Sequence, residues 1–324
     1  MGKREIRYTV IIPCYNAAET ITQTLDSLVC QQYKEWEAIC VDDCSVDNTA
    51  SVIQQYIEEH AAAEIKLLCN AKNGGPGVSR NKALEMARGH YFCFLDADDY
   101  YAGNYFTRLD EVLANTDADI ILFGCNQVIG GKVRHRPKEA LPRREDYIAL
   151  VGGSLCLGLW RNILWQDIQI PPISNAEDIA VIPILISRAR KVISIPDCLY
   201  YYIHSNNSTS SRDTPQVSHN FVFSFRYTLS HINLECYNKQ IEFHGIKTIM
   251  YGATLNAMKA GMSKDDIRQL WAAFEPQFPL WRENPYLQMY SKCKRLFVWL
   301  AGQHLFPLMR LYAWLHTAIL RVMG

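Results

Sequence analysis

Residues Tyr91–Tyr100 read YFCFLDADDY. Tyr91 to Leu95 are mostly apolar and make a short strand buried on both faces. They run directly into Asp96, Ala97, Asp98 and Asp99. Three carboxylates within four residues repel one another, which calls for a positive group among them. A hard divalent cation, Mg²⁺ or Mn²⁺, prefers oxygen ligands and completes its shell with water and phosphate oxygens. An acidic turn after a strand is the plainer reading of the same residues. The flanking sequence decides between the two.

Upstream, the same kind of strand recurs at a regular rhythm. Thr9–Pro13 (TVIIP) is β-branched and stopped by proline. Trp36–Val41 and Ile65–Cys69 read as second and third strands. Glu19 to Cys30 carry helical spacing through Ile21, Leu25 and Leu28, and Asp47 or Asn48 caps a helix running to His60. A glycine-rich loop, NGGPG from Asn73, opens a third helix, with Pro76 near its first turn and Gly89 just past its end. This alternation predicts an α/β fold, a mostly parallel central sheet with helices on both faces. Ligands bind such sheets beyond the carboxyl ends of the strands. Asp43, Asn73 and Asp96–Asp99 all follow strands, so they converge on one rim. No G-x-G-x-x-G opens a helix, and Gly131-Lys132 is followed by Val133, so the usual dinucleotide and P-loop cradles are missing. A nucleotide here is held through a metal and carboxylates.

Downstream, Asp119–Cys125 reads as a strand and Asn126–His135 as its partner, leading into a basic segment broken by proline. Residues 145–170 are mixed. Asn175 is placed to cap a helix whose first turn holds Glu177 and Asp178, acids that the helix dipole favours there. Val192–Ile195 and Leu199–Ile203 are two short strands. From about Gln216 the pattern turns helical, dividing the chain into a sheet domain, 1–215, and a helical region, 216–324.

The 324 residues are 49% apolar, enough for one large or two modest cores. Lys+Arg and Asp+Glu balance at 33 each, so nothing in the global charge points to nucleic acid. Eleven cysteines without a C-x-x-C pair suit a reduced, cytoplasmic chain. The basic N-terminus carries an apolar run too short for a signal sequence.

The tail is different. No acid follows Glu283, and at about 100° per residue Lys292, Arg295, Gln303, Arg310, Thr317 and Arg321 fall within roughly 80° of arc. Pro307 kinks or divides this helix, and Gln303, His304 and Arg310 interrupt any membrane-spanning window. Two readings remain. The helix packs on the protein or on a second subunit, as in a homodimer. Or it lies on an anionic cytoplasmic membrane surface, with Trp299 and Trp314 in the interface.

Taken together, VIIPCYN, AICVDDCSVDNT and NGGPGVSRNKALEMARGHYFCFLDADD resemble the nucleotide-binding half of family 2 glycosyltransferases, across residues 8–100. ISNAED resembles that family's later Glu-Asp motif and extends the likeness to about 205; it does not reach the last hundred or so residues. The resemblance implies the A-type, Rossmann-like glycosyltransferase fold. It also implies transfer of a sugar with inversion from a nucleotide-sugar donor, a UDP-sugar, to a glycan hydroxyl in bacterial surface polysaccharide synthesis. In many relatives that acceptor is lipid-linked. Pro13 and Tyr15, with Glu19, would line the nucleoside, and Asp43 would accept a hydrogen bond from the base. Arg80 would face the nucleotide or pyrophosphate. Asp96 and Asp98 would be the D-x-D pair with Ala97 beside the nucleotide, Asp98 binding Mn²⁺ or Mg²⁺ and Asp96 the ribose or the metal. Asp178 would be the catalytic base, and His204 falls near a further metal or phosphate contact of some relatives. Cys44 departs from the pattern, because Gly is usual after the paired aspartates.

The residues agree with that chemistry. A clamped cation neutralises charge on a leaving phosphate, and one separate carboxylate suffices to take the acceptor proton. A sugar nucleotidyltransferase would want a glycine-rich, basic loop after the first strand, where CYNAAET stands. A catalytically inactive nucleotide-binding scaffold would be expected to have lost Asp98 or Asp178. The processive synthases' Q-x-x-R-W is absent, since the string from Gln277 to Trp281 lacks the Arg, and this favours one sugar per encounter.

Overall fold

The computed structural model describes residues 6–204 and 213–323. Two compact units share the chain. The first comprises Met1–Pro142, Ser154–Ser174 and Arg188–Asn206, and the second Arg143–Gly153, Asn175–Ser187 and Asn207–Gly324. The chain crosses between them five times, the last time between Asn206 and Asn207.

The first unit is built on one sheet. β1 (Tyr8–Cys14), β2 (Trp36–Asp42), β3 (Ile65–Cys69) and β4 (Tyr91–Phe94) run parallel in the order β3-β2-β1-β4. Every residue of β2 and β4 is buried, as apolar strands covered on both faces should be. Pro13 does not stop β1. It pairs with Val41 on one side, and β4 has already ended its pairing at Ile11 on the other. The missing N–H therefore faces no ladder there.

α1 (Ile21–Val29), α2 (Thr49–Glu59) and α3 (Pro76–Met86) connect these strands. Asp47 Oδ1 accepts from Thr49 N at 3.0 Å at the start of α2. Pro76 opens α3 after Gly75, whose φ of 82° is left-handed. Gly89 is needed for close approach, since a Cβ there would lie 2.5 Å from Thr9 N.

Beyond β4 the sheet is mixed. β5 (Tyr100–Tyr101), α4 (Tyr105–Thr116), β6 (Ile120–Ile129), β7 (Lys132–Arg136), β8 (Gly158–Arg161) and β9 (Val192–Ile203) follow in sequence. β8 lies antiparallel between β4 and β6, while β9 runs parallel to β6 and antiparallel to β5. Where two short strands were expected, β9 is one strand, and residues 195–197 bulge opposite Phe123. The bulge accommodates Pro196 without ending the strand.

The second unit is helical. α5 (Arg144–Leu150) and α6 (Glu177–Arg188) lead to α7 (Pro215–His231), α8 (Leu234–Gly245), a π-helical stretch Ile246–Ala253, α9 (Thr254–Lys259) and α10 (Lys264–Trp271). α11 (Lys292–Gly302) and α12 (Phe306–Met323) close the chain. Phe225, Phe274, Phe278 and Trp281 interlock at its centre, and Trp271 stacks on Phe306. The tail divides ahead of Pro307, at residues 303–305, where His304 has a φ of 55°. Pro307 thus sits in the first turn of α12, where its missing N–H costs nothing. The break resets the helical phase, so the continuous cationic arc drawn for a single helix does not form. Phe297, Met309 and Ala313 are buried on the inner faces, while Trp299 and Trp314 remain exposed.

Candidate active site

The loops that follow β1, β2, β3 and β4 are stitched into one rim by side chains bonding to backbone. After β1, Ala17 N donates to Thr49 Oγ1 at 2.8 Å and Asn16 N to Ser45 Oγ at 3.0 Å, tying this loop to the one after β2. Val46 N returns a bond to Asn16 Oδ1 at 3.0 Å. Asp43, buried at the end of β2, receives Gly74 N at 3.0 Å and Gly75 N at 2.7 Å, together with Asn70 Nδ2 at 2.7 Å. Its carboxylate is thus the template on which the glycine-rich loop folds. Thr20 Oγ1 and Thr24 Oγ1 of the α1 region donate to Ala97 O at 2.8 and 3.0 Å, which ties the D-x-D turn to the β1 loop.

Arg80, on α3 and buried, donates through Nη2 to Asp96 Oδ1 at 3.0 Å. The positive group that the acidic cluster demands is therefore in part this guanidinium. Asp99 turns away from the cluster, a correction to the picture of three converging acids. It is buried and accepts from Tyr200 Oη at 2.6 Å and from Ile203 N at 2.7 Å. Burial, and then the charge of Asp96, push its carboxyl up to about 8. Tyr200 Oη also accepts from Asp96 N at 3.3 Å, so one tyrosine of β9 fixes both sides of the motif. Tyr200, Asn70, Thr20 and Thr24 were not anticipated as site residues. Tyr200 has no local signal, being one of three consecutive tyrosines in an apolar strand.

Asp98 reaches solvent. Crowding by surrounding protein, and then the charge of Asp96, raise its carboxyl above the usual range. Both influences disfavour the ionised form, and a bound cation would offset them. Among the described residues no group of three or more His, Cys, Asp or Glu side chains makes a ready cage. Two strand-end carboxylates suit a hard ion that takes the rest of its shell from phosphate and water, so Asp98 and Asp96 fit Mn²⁺ or Mg²⁺.

Pro13 is half-buried, and Tyr15 and Glu19 are exposed on the same rim. Cys44 adopts a φ of 59°, the left-handed conformation that explains why glycine is usual there. His204 stands exposed at the end of β9, its N–H bonded to Val128 O at 2.9 Å.

Asp178 belongs to the second unit, buried in the first turn of α6. The turn that enters α6 is held from α7. Asn220 Nδ2 donates to Asn175 Oδ1 at 2.6 Å and Ser224 Oγ to Ala176 O at 2.7 Å, with Ala176 at a φ of 65°. A non-glycine residue held left-handed beside a candidate catalytic acid is strain of the kind that clusters at functional sites.

The sequence profile of glycosyl transferase family 2 matches residues 9–164. The putative teichuronic acid biosynthesis glycosyltransferase TuaG of Bacillus subtilis is 33% identical over 208 residues, covering 63% of this chain and 81% of TuaG. TarS of Staphylococcus aureus, a poly(ribitol-phosphate) beta-N-acetylglucosaminyltransferase, is 28% identical over 207 residues, 61% of this chain. The aligned part spans only 35% of that longer protein. The structure of TarS 1–349 in complex with UDP-GlcNAc superposes with a TM-score of 0.71 at 21% identity, covering 97% of this chain and 92% of that one. Mannosyltransferase PcManGT from Pyrobaculum calidifontis, in complex with GDP-Man and Mn²⁺, gives 0.58 at 17% identity, covering 96% and 86%. With the loops after the first four strands inside the matched profile and four-fifths of TuaG aligned at 33% identity, the chain belongs to glycosyl transferase family 2.

Proposed function

We propose that this glycosyltransferase moves one sugar from a UDP-sugar to a hydroxyl of a growing bacterial surface glycan, with inversion. The observation that carries this reading is the rim itself. Buried Arg80 stands against Asp96, Asp98 is open to solvent, and four loops are bonded around them. The UDP-GlcNAc complex of TarS supports the donor class, and TuaG's role in teichuronic acid biosynthesis supports the pathway class.

The uridine lies along Pro13, Tyr15 and Glu19, within reach of the loop templated by Asp43. Arg80 and Asp96 orient the ribose and diphosphate. Asp98 and Asp96 would hold Mn²⁺ or Mg²⁺, which when bound supplies a counter-charge for the leaving diphosphate. PcManGT's Mn²⁺ supports that choice. Asp178 takes the acceptor's proton as the new C1–O bond forms on the face opposite the departing UDP, which leaves with the electron pair of the broken bond. One base and no covalent nucleophile suffice for inversion.

The test is turnover of a panel of nucleotide sugars with Mn²⁺ by the wild type and Asp178→Asn. A UDP-sugar should be consumed, and the variant should keep donor affinity while turnover falls about 10²-fold or more. Loss of donor binding together with turnover would make Asp178 a nucleotide or structural residue.

The outer faces of α11 and α12 support peripheral contact with the inner, anionic face of the cell membrane. Leu296, Trp299, Leu308, Leu311, Trp314 and Leu315 are exposed there, interspersed with exposed Lys292, Arg295 and Arg310. No helix among the described residues is long and apolar enough to cross a membrane. Aromatic and cationic side chains on one surface suit a helix lying in the headgroup layer. Because both helices also bury Phe297 and Met309, the test keeps the chain whole. Trp299→Glu with Trp314→Glu should lose sedimentation with phosphatidylglycerol vesicles. Unchanged sedimentation would leave that surface to a second subunit.

A further inference from the structure

The basic segment around β7 takes no part in sugar transfer as described. Between Ile120 and Lys138 the chain holds Lys132, Arg134, Arg136 and Lys138, and no acid. Lys132–Arg136 form β7, exposed along its whole length and hydrogen-bonded to β6 at the margin of the sheet.

The register fixes which way these cations point. Residues paired across strands stand on one face of a sheet, and alternate residues along a strand share it. Arg136 pairs with Cys125 of β6 and Arg134 with Gln127, while Cys125 and Gln127 pair in turn with Tyr200 and Tyr202 of β9. Lys132, Arg134 and Arg136 therefore share the face of Tyr200, whose hydroxyl joins Asp96 to Asp99. Arg136 Nε donates to Gln127 Oε1 at 3.1 Å across that face. Arg136 and Tyr200 stand two strand spacings apart, about 10 Å. Val133 and His135 occupy the other face, with His135 Nδ1 2.6 Å from Asn126 Oδ1.

Among the described residues, no carboxylate stands within ion-pair distance of Lys132, Arg134 or Arg136. Charge on an edge strand discourages pairing with another chain, but that role asks for no particular face and no run of one sign. Successive cations lie about 7 Å apart, within a Debye length of about 8 Å at physiological salt, so their potentials add. The three span about 14 Å. A small anion meets one of them, and an oligomeric anion meets all three. Guanidinium forks suit carboxylate and phosphate alike. Half-buried Tyr202, in the row of Gln127 and Arg134, adds a ring for the apolar face of a sugar. An anionic membrane would need apolar anchors among the cations. The exposed large apolar side chain of this hairpin, Val133, is on the opposite face.

We propose that Lys132, Arg134 and Arg136 bind the acceptor, and that the acceptor is a glycan carrying anionic groups of its own, carboxylate or phosphate. The chain runs across the sheet face from β7 past Tyr202 towards the turn that Tyr200 holds. This rests on the glycosyltransferase reading and names the acceptor's charge class.

The experiment titrates hexagalacturonate and a glycerol-phosphate hexamer into the full-length protein by calorimetry at low ionic strength. Maltohexaose serves as the neutral glycan and hexaglutamate as an anion without sugar or polyol. At least one of the two anionic probes should bind saturably and at least tenfold more tightly than both comparisons, and the tighter one identifies the anionic group. Arg134→Gln with Arg136→Gln should weaken it at least tenfold while near-UV circular dichroism stays unchanged. Lys34→Gln with Lys264→Gln, the same loss of charge at other exposed positions, should change it less than twofold. Absent binding, equal binding of maltohexaose or hexaglutamate, or equal weakening in the lysine variant would overturn the proposal. So would an arginine variant that keeps glycan binding but no longer sediments with phosphatidylglycerol vesicles, which would give β7 to the membrane. Because the readout is glycan binding and not turnover, a protein that consumes a UDP-sugar but binds neither probe would refute only this inference. One that binds a probe but consumes no UDP-sugar would refute only the sugar-transfer reading.

Discussion

The rim above β1–β4 and the helical unit formed by α5–α12 are held by opposite kinds of interaction. In the rim, short polar side chains bond to backbone. Asp43 gathers two glycine N–H groups, Thr20 and Thr24 meet one carbonyl, and Tyr200 bridges Asp96 and Asp99. In the helical unit, rings pack on rings. Gly245 lets Phe225 and Phe274 close, and Trp271, Phe306 and Trp281 fill the remaining space. Hydrogen bonds to backbone fix atoms to within tenths of an ångström, as a reaction requires. Ring packing tolerates substitution of similar volume and fixes position less closely. The difference predicts that rim substitutions change chemistry with little change in stability, and that helical ones do the reverse.

The largest effect should come from Asp98→Asn. Metal-dependent turnover should fall by at least about 10²–10³-fold, the scale of losing one element of charge stabilisation. The urea midpoint should hardly move, since the change relieves repulsion with Asp96. Full activity in Asp98→Asn would break the comparison at its functional end.

An intermediate effect belongs to Gly245→Ala. The new Cβ would lie 2.4 Å from Phe274 Cδ2, inside a fully buried cluster. Overpacking of this kind costs about 1–3 kcal/mol, read as a lower urea midpoint with donor binding retained. An unchanged midpoint would mean that the ring cluster yields more easily than its packing implies.

The smallest effect sharpens the comparison inside the rim. Cys44 holds a φ of 59° that glycine adopts without penalty. Cys44→Gly should therefore stabilise by up to about 1 kcal/mol, the left-handed cost less the extra freedom of glycine in the unfolded chain. A destabilised Cys44→Gly would show that the thiol makes a contact worth more than the strain it imposes.

Much of the rim was legible because the motifs answer to local demands. NGGPG reads as a loop because it needs a left-handed glycine and a proline at the helix start, and the structure has both. The D-x-D reads as a strand-end turn because the apolar run before it is short and fully buried. Asp99 could not be told apart from Asp96 and Asp98, since what separates them is Tyr200, about a hundred residues away along the chain. The continuity of β9 was hidden by Pro196, which a bulge absorbs only because β6 lies beside it.

The tail shows the same limit from the other side. Periodicity marked its amphipathic character, but the division at residues 303–305 depends on Trp271 receiving Phe306, and no local pattern encodes that. By itself the sequence determined the alternation of strand and helix, the acids and glycines at the strand ends, and through them the family. These follow from backbone geometry and burial within a few residues. Only the tertiary structure decided which acid faces solvent, what Asp43 holds, and how the chain weaves between two units. It also set the cations of β7 on the sheet face that carries Tyr200. Each of these depends on groups far apart in the chain meeting in space, and the energy of that meeting is absent from any local window.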